Sequence, residues 1–433
     1  MMSMIFDQDL MEKIRAEFPR AATDLNGRKR AFFDNGTGTL VVGRAATAEA
    51  EARVDCSANV GASFEESEKA EAVILDGRKA IADLLNAPSP DTIVSGESAT
   101  ALLFNLSYAI GKELTGKENV VTTDYEHYAN ISPWMELEKR RKIQKVRFAR
   151  LNKDEGTLDM EHLQSLIDAK TKVVTVSAAS NVLGTKSPLE EIGKMAEEVN
   201  AYFVVDAVHH IAHGPIDVKL LDCDFLVFSG YKLFSPHGSF LYGRKDCLET
   251  LKPYKVAPAP EHAPYKWERG TRDQSQFAAI RGVADHLVWL ADQVQNHYEC
   301  SFTEYSGRKR CLKVAMAAVE KYELELSEAV LAGFGDIKGL RDMTNVRVYG
   351  ITDLNCLKKR DPTFAFRVES IYDREVVSRL WTEGGIATRA EDYYSRALES
   401  YDLQTMIRIS LVHYNTLKEI GVFLKTLNEI CES

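Results

Sequence analysis

No stretch of this 433-residue chain stays apolar for the roughly eighteen residues that a membrane-spanning helix needs, so no membrane span is expected. The first residues, MMSMIFDQDLMEKIRAEF, lack both a basic leader and a long apolar core, so they read as an amphipathic helix rather than a secretion signal. Cysteine is sparse: seven are scattered along the chain, odd in number and without CxxC spacing. That argues against a structural zinc site and for a reducing, cytoplasmic setting. Positive charge is also scarce. The formal net charge is −10 and the only dense basic run is Glu138–Lys142 (EKRRK), which gives no electrostatic reason to bind nucleic acid. No internal repeat or low-complexity tract is present. What remains is a chain with 45% apolar residues, enough to fill a sizeable core in two or three lobes.

Short β-rich runs recur at Thr92–Ser95, Val120–Thr123, Val146–Phe148, Val173–Ser177, Tyr202–Asp206, Phe225–Phe228 and Phe240–Tyr242. Helical patterns at Ala99–Leu114, Ile131–Arg141, Met160–Ala169 and Leu189–Asn200 separate most of them. This alternation predicts an α/β fold, a mostly parallel seven-stranded sheet with helices on both faces. The link between Phe228 and Phe240 is too short for a helical crossover, so the last strand is expected to run antiparallel. Beyond the Pro- and Tyr-rich stretch Lys252–Pro264 come long helical periodicities (Ile280–Val294, Glu304–Glu320) and further strands at Asn345–Tyr349, Thr363–Val368, Ile386–Thr388 and Met406–Leu411. We divide the chain into an N-terminal segment (1–30) packing with a small lobe, a large domain (31–285) and a smaller α+β C-terminal domain (286–433).

In open α/β sheets, ligands sit beyond the carboxyl ends of the strands. The residues that follow each strand are therefore the informative ones. GESAT opens a helix near Ala99, which offers free backbone N–H groups and a positive dipole end to a phosphate, or needs only an N-cap at Ser98. His127 follows the second strand and Asn181 the fourth. Asp206 ends the fifth, with His209 three residues on, and SGYK places Ser229, Tyr231 and Lys232 after the sixth. Singly, each has a structural explanation, a turn, a cap or a solvated lysine. Together they put an acid, two histidines, an asparagine, a phosphate cradle and a lysine at one edge of one sheet. That set suits pyridoxal 5'-phosphate: a lysine to form the Schiff base, a carboxylate for the pyridine nitrogen and an aromatic ring to stack on the cofactor.

The motifs FFDNGTGT (32–39), YEHYANISPW (125–134), SNVLGT (180–185), VVDAVHH (204–210), CDFLVFSGYKL (223–233), ERGT (268–271) and RISLVHYNT (408–416) resemble those of the class-V aminotransferases. The likeness is to the cysteine desulfurase/selenocysteine lyase-like branch of the fold-type I pyridoxal-phosphate enzymes, and it spans nearly the whole chain. It implies that Lys232 is the Schiff-base lysine and proton shuttle, that Asp206 pairs with the pyridinium nitrogen, and that His127 stacks over the ring. Asn181 and His209 would lie near the phenolic oxygen. Ser98, Ala99 and Thr100, with Ser229 and Tyr231, would bind the phosphate. Thr271 would reach the partner subunit's phosphate in a homodimer with shared sites. Arg408 would hold the substrate carboxylate in a bidentate pair, with Arg389, Asn35 and Tyr394 also facing the amino-acid substrate.

One departure bears on the reaction. Where a desulfurase loop carries the cysteine that accepts sulfur, the stretch IATRAEDYYSRAL (386–398) has Tyr394 and no cysteine. SPHG (235–238) also replaces the family's more usual turn. Three readings stay open on the sequence: a C–S lyase or other β-eliminating enzyme lacking the persulfide cysteine, an aminotransferase or amino-acid epimerase, and a non-catalytic cofactor-binding protein.

Overall fold

The computed structural model describes residues 5–433. Its centre is a seven-stranded sheet whose spatial order is Ile93–Gly96, Ser239–Gly243, Phe225–Ser229, Tyr202–Asp206, Thr171–Ser177, Asn119–Thr123 and Lys145–Ala149. Only Ser239–Gly243 is antiparallel to its neighbours, as the short preceding connection requires. The other six therefore end at one edge.

The inner strands Phe225–Ser229 and Tyr202–Asp206 are apolar at four of five positions because both faces are covered. Val94, Val204, Val227 and Leu241 pack on one side against Leu102, Leu103 and Leu106 of helix Ala99–Gly111 and Trp134 of helix Ser132–Lys139. Phe203, Val205, Leu226 and Phe228 face the other side, in a cluster with Ile81 of helix Glu65–Leu85, Ile192 of helix Leu189–Glu198 and Phe277 of helix Gln274–Val294. At about 25 cal/mol per Å² of apolar surface, two such layers are the main source of stability.

A smaller C-terminal unit follows, built on a four-stranded antiparallel sheet: Val346–Tyr349, Thr363–Val368, Met406–Ser410 and Arg389–Glu391. Helices Gly307–Ala332, Asp373–Gly384 and Leu417–Glu432 pack with it. The expected helix Glu304–Glu320 continues to Ala332, since ELELSEAVLA contains no breaker before Gly333. The boundary drawn at 285 falls inside the continuous helix Gln274–Val294. Near the N-terminus, helix Gln8–Ala16 has Met11 and Ile14 buried, and Arg15 bonds the Tyr414 carbonyl and Glu419. Residues 31–32, assigned from the sequence to the large domain, instead form a short parallel pair with Ile386–Ala387. None of the described helices is long and apolar enough to cross a membrane.

Candidate active site

Five of the parallel strands end in side chains, or lead into loops, that wall a cavity of about 410 Å³ at the carboxyl edge of the sheet. Its lining includes Ser98, Ala99, Thr100, His127, Asn181, Asp206, His209, Ser229, Tyr231, Lys232, Arg389, Tyr394 and Arg408. These residues are drawn from positions more than 300 apart in sequence and from both units of the fold.

Lys232 ends the single turn Gly230–Lys232 that follows strand Phe225–Ser229. The side chain is buried and its ammonium donates to the Gly36 carbonyl. Burial, reinforced by the Arg408 cation, lowers its pKa to about 7, while Asp34 and Asp206 oppose the shift. Across the cavity, Asp206 accepts the Val208 N–H at 2.9 Å through Oδ1. Burial raises its carboxyl to about 7, and nearby Glu126 adds to the effect against that hydrogen bond and Lys232. Desolvation therefore pushes the acid and the base toward their neutral forms in one enclosure, the environment in which both become usable near neutral pH.

His127 turns its Nδ1 to the Ala129 N–H at 3.0 Å, which puts the ring proton on Nε2. Its pKa falls to about 4, first by desolvation and then by the Lys232 and Arg408 cations, so the imidazole is neutral. The preceding residue holds the loop. Glu126 is fully buried and accepts from Thr123 Oγ1 (2.6 Å), Ser177 N (3.0 Å), Ser177 Oγ (2.6 Å) and Asn130 Nδ2 (2.8 Å). This saturated carboxylate ties His127 to two strand ends. The sequence gives only one hint of it, an acid inside an otherwise aromatic YEHY.

Arg408, in one of the two inner strands of the small sheet, is almost fully buried with its guanidinium 4.0 Å from the Tyr393 ring centroid. It donates to the Asn181 carbonyl (2.7 Å) and Thr37 Oγ1 (2.6 Å) and lies 3.6 Å from Asp34, while its Nε has no partner. Asp34 is the second residue that the sequence reading passes over, although it adjoins Asn35 in FFDNGTGT. It binds Arg389 through Nε (2.9 Å) and Nη2 (2.8 Å).

Two nominated residues do not share this cavity. Asn35 points into the protein: its amide donates to the carbonyls of Phe32 (3.1 Å) and Ser410 (2.8 Å) and to Asn415 Oδ1 (3.1 Å), and its oxygen accepts from Tyr414. With all its polar atoms engaged there, it fixes the chain entry rather than meeting a substrate, and Gly36 and Thr37 line the cavity in its place. Thr271 is exposed in a separate cleft of about 390 Å³ with Arg269, Gly270 and Arg272. Two others have partners of their own. His209 Nε2 lies 3.1 Å from Thr363 Oγ1, and Ser229 Oγ lies 2.8 Å from Ser239 Oγ. His209, His213 and Asp361 also bring potential ligand atoms within 4.8 Å of one another. However, the Lys186 ammonium lies 3.7 Å from Asp361, and that charge disfavours a cation there.

The donor set fits pyridoxal phosphate. Ser98 caps its helix by accepting the Ala101 N–H at 3.1 Å. The N–H groups of Ala99 and Thr100, first in that helix, have no carbonyl within it to reach and suit a phosphate. Asn181 Oδ1 is buried without a partner, and Asp206 keeps one oxygen free of hydrogen bonds among the described residues.

Known proteins resemble the chain over nearly its whole length. The aminotransferase class-V family model matches residues 31–305. The chain is 30% identical to a probable cysteine desulfurase of Synechocystis sp., over 96% of this chain and 95% of the relative. It is also 30% identical to a cysteine desulfurase of Enterobacter sp., over 97% and 98%. Among solved structures, the apo cysteine desulfurase of Thermococcus onnurineus NA1 superposes with a TM-score of 0.81 at 24% identity, covering 97% of this chain and 98% of that one. The Escherichia coli cysteine desulfurase CsdA gives 0.77 at 23% identity, covering 98% of each. The chain therefore belongs to the class-V aminotransferase family and is a cysteine desulfurase-like, pyridoxal-phosphate-dependent enzyme.

Proposed function

We propose that this enzyme is a C–S lyase that acts on a cysteine-like amino acid by β-elimination, without an enzyme-bound persulfide. The observation that carries the reading is the make-up of the cavity wall. It holds a base, an acid and a carboxylate clamp, none of the seven cysteines lines it, and the family resemblance gives Tyr394 the place of the sulfur acceptor.

In this reading, the substrate carboxylate binds Arg408, displacing the Asn181 carbonyl and Thr37 hydroxyl that now occupy its donors. Ser98, Ala99, Thr100, Ser229 and Tyr231 would hold the cofactor phosphate, Asp206 the pyridine nitrogen and Asn181 and His209 the phenolic oxygen, with the neutral His127 imidazole against the ring. When bound, pyridoxal phosphate supplies an electron sink for the charge left at Cα. Lys232 Nζ takes the Cα proton, and the Cβ–S bond breaks as the thiolate leaves with its electron pair. The net change is an S-substituted cysteine and water giving pyruvate, ammonia and a thiol.

The chain's other features support three further parts of the proposal. Thr271 is exposed outside the cavity, which supports a homodimer in which it reaches the neighbouring subunit's site. The proposed domains are 1–30, 31–285 and 286–433, with helix Gln274–Val294 running across the second boundary and residues 31–32 paired with the last unit, and the free thiols suit the cytoplasm. The test is to incubate purified, cofactor-loaded protein with a panel of amino acids and assay pyruvate, sulfide, keto acid and D-isomer. Pyruvate and thiol from cysteine derivatives are expected. Stoichiometric keto acid from an amino donor, or a D-isomer, without pyruvate would replace the lyase with an aminotransferase or epimerase.

A further inference from the structure

Beyond the groups already given roles, the cavity retains one charged side chain, Glu391. It ends the short strand Arg389–Glu391, paired to Met406 in the small sheet. Its carboxylate reaches only Arg389 Nη1, at 3.4 and 3.5 Å, and has no other hydrogen bond among the described residues. Those distances are long for a charge-assisted pair, which settles near 2.7–2.9 Å. Arg389 is already engaged, because Asp34 takes its Nε and Nη2.

With an α-carboxylate on Arg408, both guanidinium groups have a close carboxylate, the substrate's on Arg408 and Asp34 on Arg389. Glu391 is left as the carboxylate without a close cation, and the Tyr394 ring, 70% exposed, lines the same cavity 6.2 Å from the His127 ring. An aromatic ring and a weakly paired carboxylate in one cavity make a setting that attracts cations.

This part of the wall is also fixed in place. The Tyr393 hydroxyl donates to the carbonyls of Arg389 (2.7 Å) and Met406 (3.0 Å), and the Tyr394 carbonyl accepts the Tyr128 N–H at 2.7 Å. Arg396 reaches Asp124 at 2.9 Å. The segment that carries Glu391 is therefore fastened to both units of the fold, and Glu391 lines the cavity from it.

We infer that Glu391 selects the distal group of the substrate, and that the enzyme prefers cysteine-like amino acids whose sulfur substituent carries a positive charge. The inference deepens the lyase reading and rests on it for the identity of the reacting bond. Because Glu391 is partly exposed, the preference over a neutral isostere is modest, about fivefold, and shrinks in high salt.

The experiment uses the cofactor-loaded enzyme and two isosteric series. Turnover is followed as pyruvate from S-aminoethylcysteine, S-propylcysteine and S-carboxymethylcysteine. Binding is measured by calorimetry with lysine, 2-aminoheptanoate and aminoadipate, which carry the same distal charges but no sulfur leaving group. The cationic member should lead each series, and Glu391→Gln should erase its lead over the neutral member while Glu391→Asp keeps part of it. Equal constants across the binding series, or a lead for the anionic member, would overturn the inference and, in the second case, pass the role to Arg389. If no cysteine derivative yields pyruvate, the lyase reading fails, and the calorimetric series still decides what Glu391 recognises.

Discussion

Lys232 should capture pyridoxal phosphate at a pH where an ordinary lysine is inert. An amine attacks the cofactor's aldehyde only when unprotonated, and burial beside Arg408 lowers this one from 10.5 to about 7. The shift disfavours the ammonium by on the order of 5 kcal/mol, at about 1.4 kcal/mol per pH unit. At pH 7 a solvated lysine is neutral in about three molecules per ten thousand, whereas Lys232 is neutral in about half, a gain of roughly a thousandfold in reactive amine. The rate constant for capture by the apoprotein should therefore rise with pH, reach half its maximum near 7 and level off above. Stopped-flow absorbance across the pH range measures it. Borohydride trapping followed by peptide mass spectrometry should place the label on Lys232, and Lys232→Ala should remove both signals. A midpoint above pH 9, or a rate at pH 7 no faster than that of a blocked free lysine, would show that the amine is not desolvated and would refute the reasoning.

Other outcomes follow from the same geometry. Asp206→Asn should retain the cofactor yet lose about 100-fold or more in turnover, since an amide cannot keep the ring nitrogen protonated; near-wild-type kcat would make the acid structural. Intact-mass spectrometry after turnover with cysteine, without reductant, should show no gain of a sulfur atom, because Tyr394 cannot form a persulfide. A stoichiometric adduct lost on mutation of one cysteine would restore a desulfurase mechanism. Light scattering at assay concentration should give a dimer as the smallest active species, and a fully active monomer would contradict the role given to Thr271.

The inner strands were legible because a strand covered on both faces needs apolar residues at most positions, and runs such as FLVFS and YFVVD leave no other reading. Residues just past those strands were legible for the same reason: position at a strand end fixes which edge they occupy. Glu126, Asp34 and Glu391 were not, because a buried or paired acid looks in sequence like any surface acid until its partners are in place. Asn35 misled for a related cause. Its neighbours Gly36 and Thr37 do line the cavity, but its own side chain turns inward to Ser410 and Asn415, some 375 residues downstream. The pairing of Ala31–Phe32 with Ile386–Ala387 is equally invisible, since two residues of strand carry no periodicity.

That pairing also has a consequence for how the molecule is made. As the chain leaves the ribosome, the groups assigned to the cofactor, from Ser98 to Lys232, emerge long before Arg389 and Arg408. Until residue 386 is free, Ala31 and Phe32 have no strand to join, and until residue 415 is free, Asn35 lacks the partners that orient Gly36 against Lys232. The first turn of the chain is thus completed among the last, a contact order that favours slow closure of the substrate side. A nascent or truncated chain would hold the lysine and its acid on a formed sheet edge while the pocket stood open toward water.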